Sequence, residues 1–295
     1  MLIRQVLARL AAKGLIYRLH GKGTFIAPRP RTDCLLVVHH DDDPVRHPHV
    51  SQLSFALGQA WASSGQGPVR TMAAEEFLSA RLDELPLIFP GLRGILFFRE
   101  TAPVARAVAE GLHDRIPCAF LGSSSHRERV AIPARWHEEA RIASLMAELL
   151  KGRRVAVLGT QPAPGESPAH PHRLTSLARA TGAREVIALP PVGFDRALEA
   201  RLRSPRVFNA LACVHDWVAA RALHGAKRLG LAVPGDLAIA GINGDAGGAW
   251  LDPPLSSVVL DLTEDARVLS RYFAASLPKK LDPRGSLKLK RSGSA

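Results

Sequence analysis

The sequence predicts an α/β chain: two lobes of doubly wound parallel sheet on either side of a cleft, preceded by a small basic head. Three observations predict it. From residue 34 onward, short apolar runs alternate with longer amphipathic ones in two successive series, the pattern of parallel strands joined by helical crossovers. The run Ala238-Ile239-Ala240-Gly241-Ile242-Asn243 is apolar until a glycine breaks it, and it leaves a polar side chain at its carboxyl end, where open α/β sheets hold their ligands. Positive charge is gathered at the two ends of the chain and absent on balance from the middle.

That third observation comes from placing the net charge of +12. Residues 1–32 carry Arg4, Arg9, Lys13, Arg18, Lys22, Arg29 and Arg31 with no Asp or Glu, and residues 279–295 carry six basic residues against Asp282. The remaining 26 basic and 26 acidic residues cancel. A polyanion-binding head on a neutral receptor fits this distribution better than a uniformly basic protein. With 295 residues, 46% of them hydrophobic, the chain can bury a large core. No apolar run approaches ~18 residues and no secretory leader pattern is present, so a cytoplasmic protein is expected, neither exported nor membrane-spanning. Cys34, Cys118 and Cys213 are far apart and each adjoins an apolar run, which predicts buried free thiols.

In chain order, Ile3, Val6, Leu7 and Leu10 make one helix face, with Arg4, Gln5, Arg9 and Lys13 on the other and Gly14 as the stop. Leu15–Leu19 and Thr24–Ala27 read as strands joined by His20-Gly21-Lys22-Gly23. A helix followed by a hairpin with a lysine at its tip is the second half of a winged helix. Residues 3–18 and the Gly21-Lys22-Gly23-Thr24-Phe25-Ile26-Ala27 wing closely resemble the end of the GntR-family DNA-binding domain. The resemblance implies that Arg4, Gln5 and Arg9 meet operator DNA from the helix, and that His20 and Lys22 meet it from the wing. The family's first two helices would precede Met1. The reading therefore expects a start codon roughly 40 residues upstream, with a truncated product that has lost DNA binding as the rival. Gly21-Lys22-Gly23-Thr24 is not a phosphate loop, because Ile16 stands where that motif needs a glycine and a strand follows instead of a helix. The partial winged helix thus spans 1–27, and Pro28-Arg29-Pro30-Arg31 makes residues 28–33 a stiff basic linker.

The body spans 34–295. Expected strands are Cys34–Val38, Gly94–Phe98 and Pro117–Leu121, then Val155–Leu158, Val186–Leu189, Ala210–Val214 and Leu237–Ala240. Expected helices are 50–62, 104–113, 138–150, 173–181, 197–202 and 218–229, and Ser286–Lys290 is a candidate last strand. Lobe 1 is expected over about 34–132 plus the segment after about 260, and lobe 2 over about 133–258. Val214-His215-Asp216-Trp217-Val218-Ala219, residues 229–241 and Pro253-Pro254-Leu255-Ser256-Ser257-Val258 resemble the corresponding blocks of LacI-type regulators. Those share the two-lobed fold of periplasmic sugar-binding proteins. The resemblance implies a homodimer, usually a repressor, whose small polar effector, a carbohydrate by preference, shifts the heads on two half-sites.

Matching those blocks places Arg173, His215, Asp216 and Asn243 at the effector. A guanidinium fork can hold adjacent hydroxyls or a carboxylate; Asp216 could accept from hydroxyls or cap the helix from Trp217; the Asn243 amide can accept and donate. His215 replaces an Asn and Asn243 an Asp of the family pattern. Trp217 and Trp250 are either core or sugar-stacking residues. His39-His40-Asp41-Asp42-Asp43, with His47 and His49, carries metal-type side chains, but its spacing fits no ligand pattern and Pro44 and Pro48 mark a loop; His170-Pro171-His172 is weaker still. No triad, paired carboxylates or nucleophile elbow appears, so neither catalysis nor a cofactor is expected. A ligand-binding module without DNA function is the competing reading.

Overall fold

The computed structural model describes residues 6–7, 16–19, 23–26, 33–40, 48–161, 169–275 and 281–295. Val6 and Leu7 are helical; the DNA-contact candidates Arg4, Gln5, Arg9, His20 and Lys22 lie outside the described residues. β1 (Ile16–Leu19) and β2 (Gly23–Ile26) pair antiparallel, with Ile16 opposite Ile26 and Leu19 opposite Gly23.

The first lobe contains β3 (Cys34–His39), α1 (Pro48–Ala62), β4 (Val69–Ala73), α2 (Ala74–Ser79), β5 (Leu92–Phe98), α3 (Thr101–Ala109), β6 (Cys118–Ser123) and β7 (Ala134–His137). Its five strands are all parallel, in the order β4-β3-β5-β6-β7. Helices cover both faces, so β3, β5 and β6 are buried on each side and read as continuous apolar runs.

The second lobe contains α4 (Glu139–Leu149), β8 (Val155–Thr160), α5 (Ala169–Thr181), β9 (Glu185–Leu189), α6 (Phe194–Arg203), β10 (Ala210–Cys213), α7 (Asp216–Arg228), β11 (Ala238–Asn243) and β12 (Ser256–Leu260). After α8 (Leu262–Ala274) the chain ends in β13 (Leu287–Lys290). The six-stranded sheet runs β13-β12-β11-β10-β8-β9, parallel except for β13. Cys34, Cys118 and Cys213 are free and buried. Among the described residues no helix is long and apolar enough to cross a membrane.

Three crossings join the lobes. β7 belongs to the first sheet, so the first crossing follows residue 137 instead of lying near 132. The second follows β12, and α8 packs on the first lobe along α1, with the Ser270 hydroxyl donating to the Ala60 carbonyl at 3.1 Å. The segment after 260 does not stay in the first lobe as expected. It returns at residue 287, because β13 completes the second sheet and buried Ser294 bonds to Ile239 and Ser256.

One carboxylate ties the three crossings together. Asp265, at the start of α8, is fully buried. Its Oδ1 accepts from Arg135 Nη2 (2.7 Å) and Nε (3.2 Å) and from the Ser286 amide (3.0 Å), and its Oδ2 accepts from His137 Nε2 (2.7 Å). Arg135 Nη1 donates to the Asp282 carbonyl at 3.0 Å, and the Gly285 amide donates to the Trp136 carbonyl at 2.8 Å. A Cβ at Gly285 would lie 2.7 Å from that carbonyl oxygen and 2.5 Å from the His137 ring, so only glycine lets these strands approach. Burial alone would raise the Asp265 pKa; bonds from His137 and Arg135 outweigh it and hold the group below the usual carboxylate value.

Candidate ligand-binding cleft

Parallel strands leave their carboxyl ends on one edge of each sheet, and here the two edges face each other. From the first lobe come Arg99, directly after β5, Ser123 at the end of β6 and His126 in the 3₁₀ turn Ser124–Arg129. From the second come Glu139 at the start of α4, Thr160 ending β8, His215 and Asp216 after β10, Asn243 ending β11, and Asp245. Ser123 bridges the lobes, its hydroxyl donating to Glu139 Oε1 at 2.7 Å.

The four expected effector residues do gather at the second lobe's edge, but they differ in what remains to bind. Arg173, on α5, is 6% exposed and is largely used internally: Nε and Nη2 donate to the two oxygens of Glu139 at 3.0 and 2.8 Å, and Nη1 donates to the Val214 carbonyl and His215 Nδ1, both at 3.3 Å. A guanidinium has five N–H groups, so little of it is left for a ligand. Glu139, desolvated yet paired with Arg173 and bonded by Ser123, is held below its ordinary pKa.

Asp216 holds a loop. Its Oδ1 accepts from the Ser257 hydroxyl and its Oδ2 from the Asp245 amide, both at 2.7 Å. It does not cap α7 as the sequence allowed; His215 occupies the N-cap position, without a side-chain cap bond, and Asp216 is the first helical residue. Gly241 breaks the apolar run because a Cβ there would lie 2.1 Å from Asp216 Oδ1. Burial raises the Asp216 pKa, against the pull of the Ser257 bond.

Asn243 is the residue with most to offer. It is 3% exposed, its φ is +122°, and neither amide atom has a hydrogen-bond partner. A buried unsatisfied polar group costs about 1–3 kcal/mol and strained φ values cluster at binding sites, so the position is built for something other than folding. Asp245 behaves similarly: Oδ1 is buried and unpartnered, and desolvation together with neighbouring Asp216 pushes its pKa up to about 7.

Arg99 escaped the sequence reading. Its φ is +65°, its Nη1 donates to His49 Nε2 at 3.0 Å, and its guanidinium lies 5.2 Å from the centre of the Phe98 ring. No described carboxylate is paired with it. Desolvation, reinforced by Arg173, lowers its pKa to about 10, and it remains charged at neutral pH. Burial and the nearby guanidiniums, Arg99 foremost, lower His126 to about 4 and keep it neutral.

The other candidates lie apart. Trp217 packs partly buried beside Phe194, and Trp250 is 89% exposed. His40 is exposed and 3.8 Å from Glu100, Asp41–Asp43 and His47 fall outside the described residues, and among the described residues no His, Cys, Asp or Glu group could hold a metal.

A family model for the periplasmic binding protein-like domain matches residues 143–287. No curated protein matches the sequence. Solved structures share the fold at low identity. A LacI family transcriptional regulator from Bifidobacterium animalis subsp. lactis is 18% identical with a TM-score of 0.71, the match covering 90% of this chain and 98% of that one. The Escherichia coli transcriptional repressor ascG is 20% identical with a TM-score of 0.66, covering 90% and 99%. The transcriptional regulator CelR in complex with cellobiose is 18% identical with a TM-score of 0.66, covering 91% and 86%. The body therefore has the two-lobed, periplasmic-binding-protein-like fold.

Proposed function

We propose that this chain is a cytoplasmic, ligand-responsive transcriptional regulator and not an enzyme. Its cleft takes a small polar effector, a carbohydrate by preference, and its basic amino-terminal head binds operator DNA as part of a homodimer, in the repressor mode. The observation that carries the effector half is Asn243: an amide buried at the cleft edge with donor and acceptor both unsatisfied. Asn243 and His215 are the proposed contacts, Arg173 braces the wall through Glu139, and Asp216 acts by holding the loop that carries Asp245. Cellobiose bound to a structure of the same fold supports the choice of a sugar. The basic head, with its Gly-Lys-Gly wing, supports DNA as partner; Arg4, Gln5, Arg9, His20 and Lys22 are the proposed contacts.

Effector binding would close the lobes about the Asp265 hinge and change the spacing of the paired heads. The test is fluorescence anisotropy of the chain on DNA from upstream of its own gene, across a salt series and with neutral and acidic sugars. Sequence-specific binding that weakens steeply with salt and is released by one sugar is the expected result. A second reading is an effector-binding module without DNA function, for which the two-lobed body and its cleft suffice. Sugar binding without DNA binding at any salt would establish it.

A further inference from the structure

The charges of the cleft do not balance, and the imbalance identifies a ligand class. Two guanidiniums enter it, one from each lobe. Arg173 is neutralised by Glu139 through two hydrogen bonds. Among the described residues Arg99 has no carboxylate within ion-pair distance: Glu139, Asp245 and Glu100 act on it only from further away, and its contacts are a ring nitrogen of His49 and the face of Phe98. It is half-buried, and its backbone is held at φ +65°, a conformation that non-glycine residues rarely adopt. A desolvated cation on a strained backbone, aimed at a cleft, is a group kept ready for an anion. Asp245 does not supply that anion within ion-pair distance, and burial beside Asp216 keeps its carboxyl largely protonated below neutral pH. On the second lobe, Asp245 lies near enough to Arg99 for the two to act on each other electrostatically; its Oδ1 is unpartnered, as is the amide of Asn243 two residues earlier at the end of β11, and these are donors and acceptors suited to hydroxyls.

Resting on the reading of this cleft as the effector site, we propose that the effector is a polyhydroxylated anion, a sugar acid or sugar phosphate. Its charged group pairs with Arg99 of the first lobe, and its hydroxyls meet Asn243 and Asp245 of the second. Such a ligand bridges the lobes with one ion pair and several hydrogen bonds, so the anion itself helps to draw the cleft shut. A neutral sugar would leave Arg99 uncompensated in the closed state and would bind more weakly for that reason.

The test is isothermal titration calorimetry on the full chain with matched series of pentoses and hexoses: the neutral aldose, its aldonate and its terminal phosphate. Wild type is expected to bind one anionic member at least tenfold more tightly than the corresponding aldose, with the aldonate or the phosphate arm showing which anion is used. Arg99→Gln should erase that advantage from both sides, the anion losing affinity and the aldose, no longer closing over an uncompensated cation, gaining some, and Arg99→Lys should restore part of the anion's advantage. Unliganded melting within about 2 °C of wild type would certify that both variants fold. An aldose that binds as tightly as its anions, or an advantage that survives Arg99→Gln, overturns the anion assignment and leaves the effector reading standing. Failure of every member to bind overturns both.

Discussion

The hinge and the cleft are both buried polar clusters, and they differ in how their hydrogen bonds are completed. At the hinge, the Asp265 carboxylate, itself on the second crossing, accepts four bonds from Arg135 and His137 on the first and Ser286 on the third. In the cleft, Asn243 has two unpartnered atoms, Asp245 one, and Arg99 no carboxylate. The first pattern holds a fold together; the second stores unsatisfied interactions that a ligand can complete. The pKa directions divide the same way. Asp265 is held below its ordinary value by its partners, whereas Asp216 is raised by burial and Asp245 by burial together with neighbouring Asp216.

The largest effect is expected at the hinge. Asp265→Asn leaves the Arg135 guanidinium, 1% exposed, without its counter-ion. Removing one partner of a buried pair costs about 3–5 kcal/mol, and for a chain of this size that is a drop of roughly 6 °C or more in Tm by calorimetry. An Asp265→Asn protein melting within 1 °C of wild type would show that the network is not what secures the crossings.

Smaller, and opposite in sign with pH, is the effect at Asp245. Its folded pKa of about 7 lies above the ordinary 3.8, so the folded state binds more protons and this residue's contribution to stability falls as pH rises between those values. Asp245→Asn should therefore match wild type near pH 4 and exceed it by a few kcal/mol at pH 8, about 1.4 kcal/mol for each pH unit between the two pKa values, read from Tm against pH. A gain that is constant across the range would contradict the assignment. The lowered Asp265 predicts the reverse slope, stability lost as pH falls below the ordinary carboxylate range.

The cleft was more legible in the sequence than the hinge, for a physical reason. Strands β3, β5, β6, β8, β10 and β11 are covered on both faces and appear as uninterrupted apolar runs, so the polar residues that end them stand out. That rule singled out Asn243, while Arg173, His215 and Asp216 came from the resemblance to LacI-type blocks; applied to every run, it would also have singled out Arg99, which directly follows the run ending at Phe98. It could not find β7, whose sequence Ala-Arg-Trp-His looks like a loop. Arg135 and His137 are tolerated in a buried strand only because Asp265, 130 and 128 residues further along the chain, meets them there. Likewise β12 opens with Ser256 and Ser257, buried against the returning tail and Asp216, partners set by the tertiary fold. Missing β7 placed the first crossing too early, and missing the tail's return left β13 unassigned to the second lobe.

The most direct test of this account is a side-by-side melt of Asn243→Ala and Asp265→Asn without ligand. Both residues are polar and at least 97% buried. Asn243→Ala removes an amide that has no partner, so the variant should melt within about 2 °C of wild type or above it, while Asp265→Asn falls well below. If Asn243→Ala loses as much stability as Asp265→Asn, the amide is serving the fold, and the division between a satisfied hinge and an unsatisfied cleft is wrong.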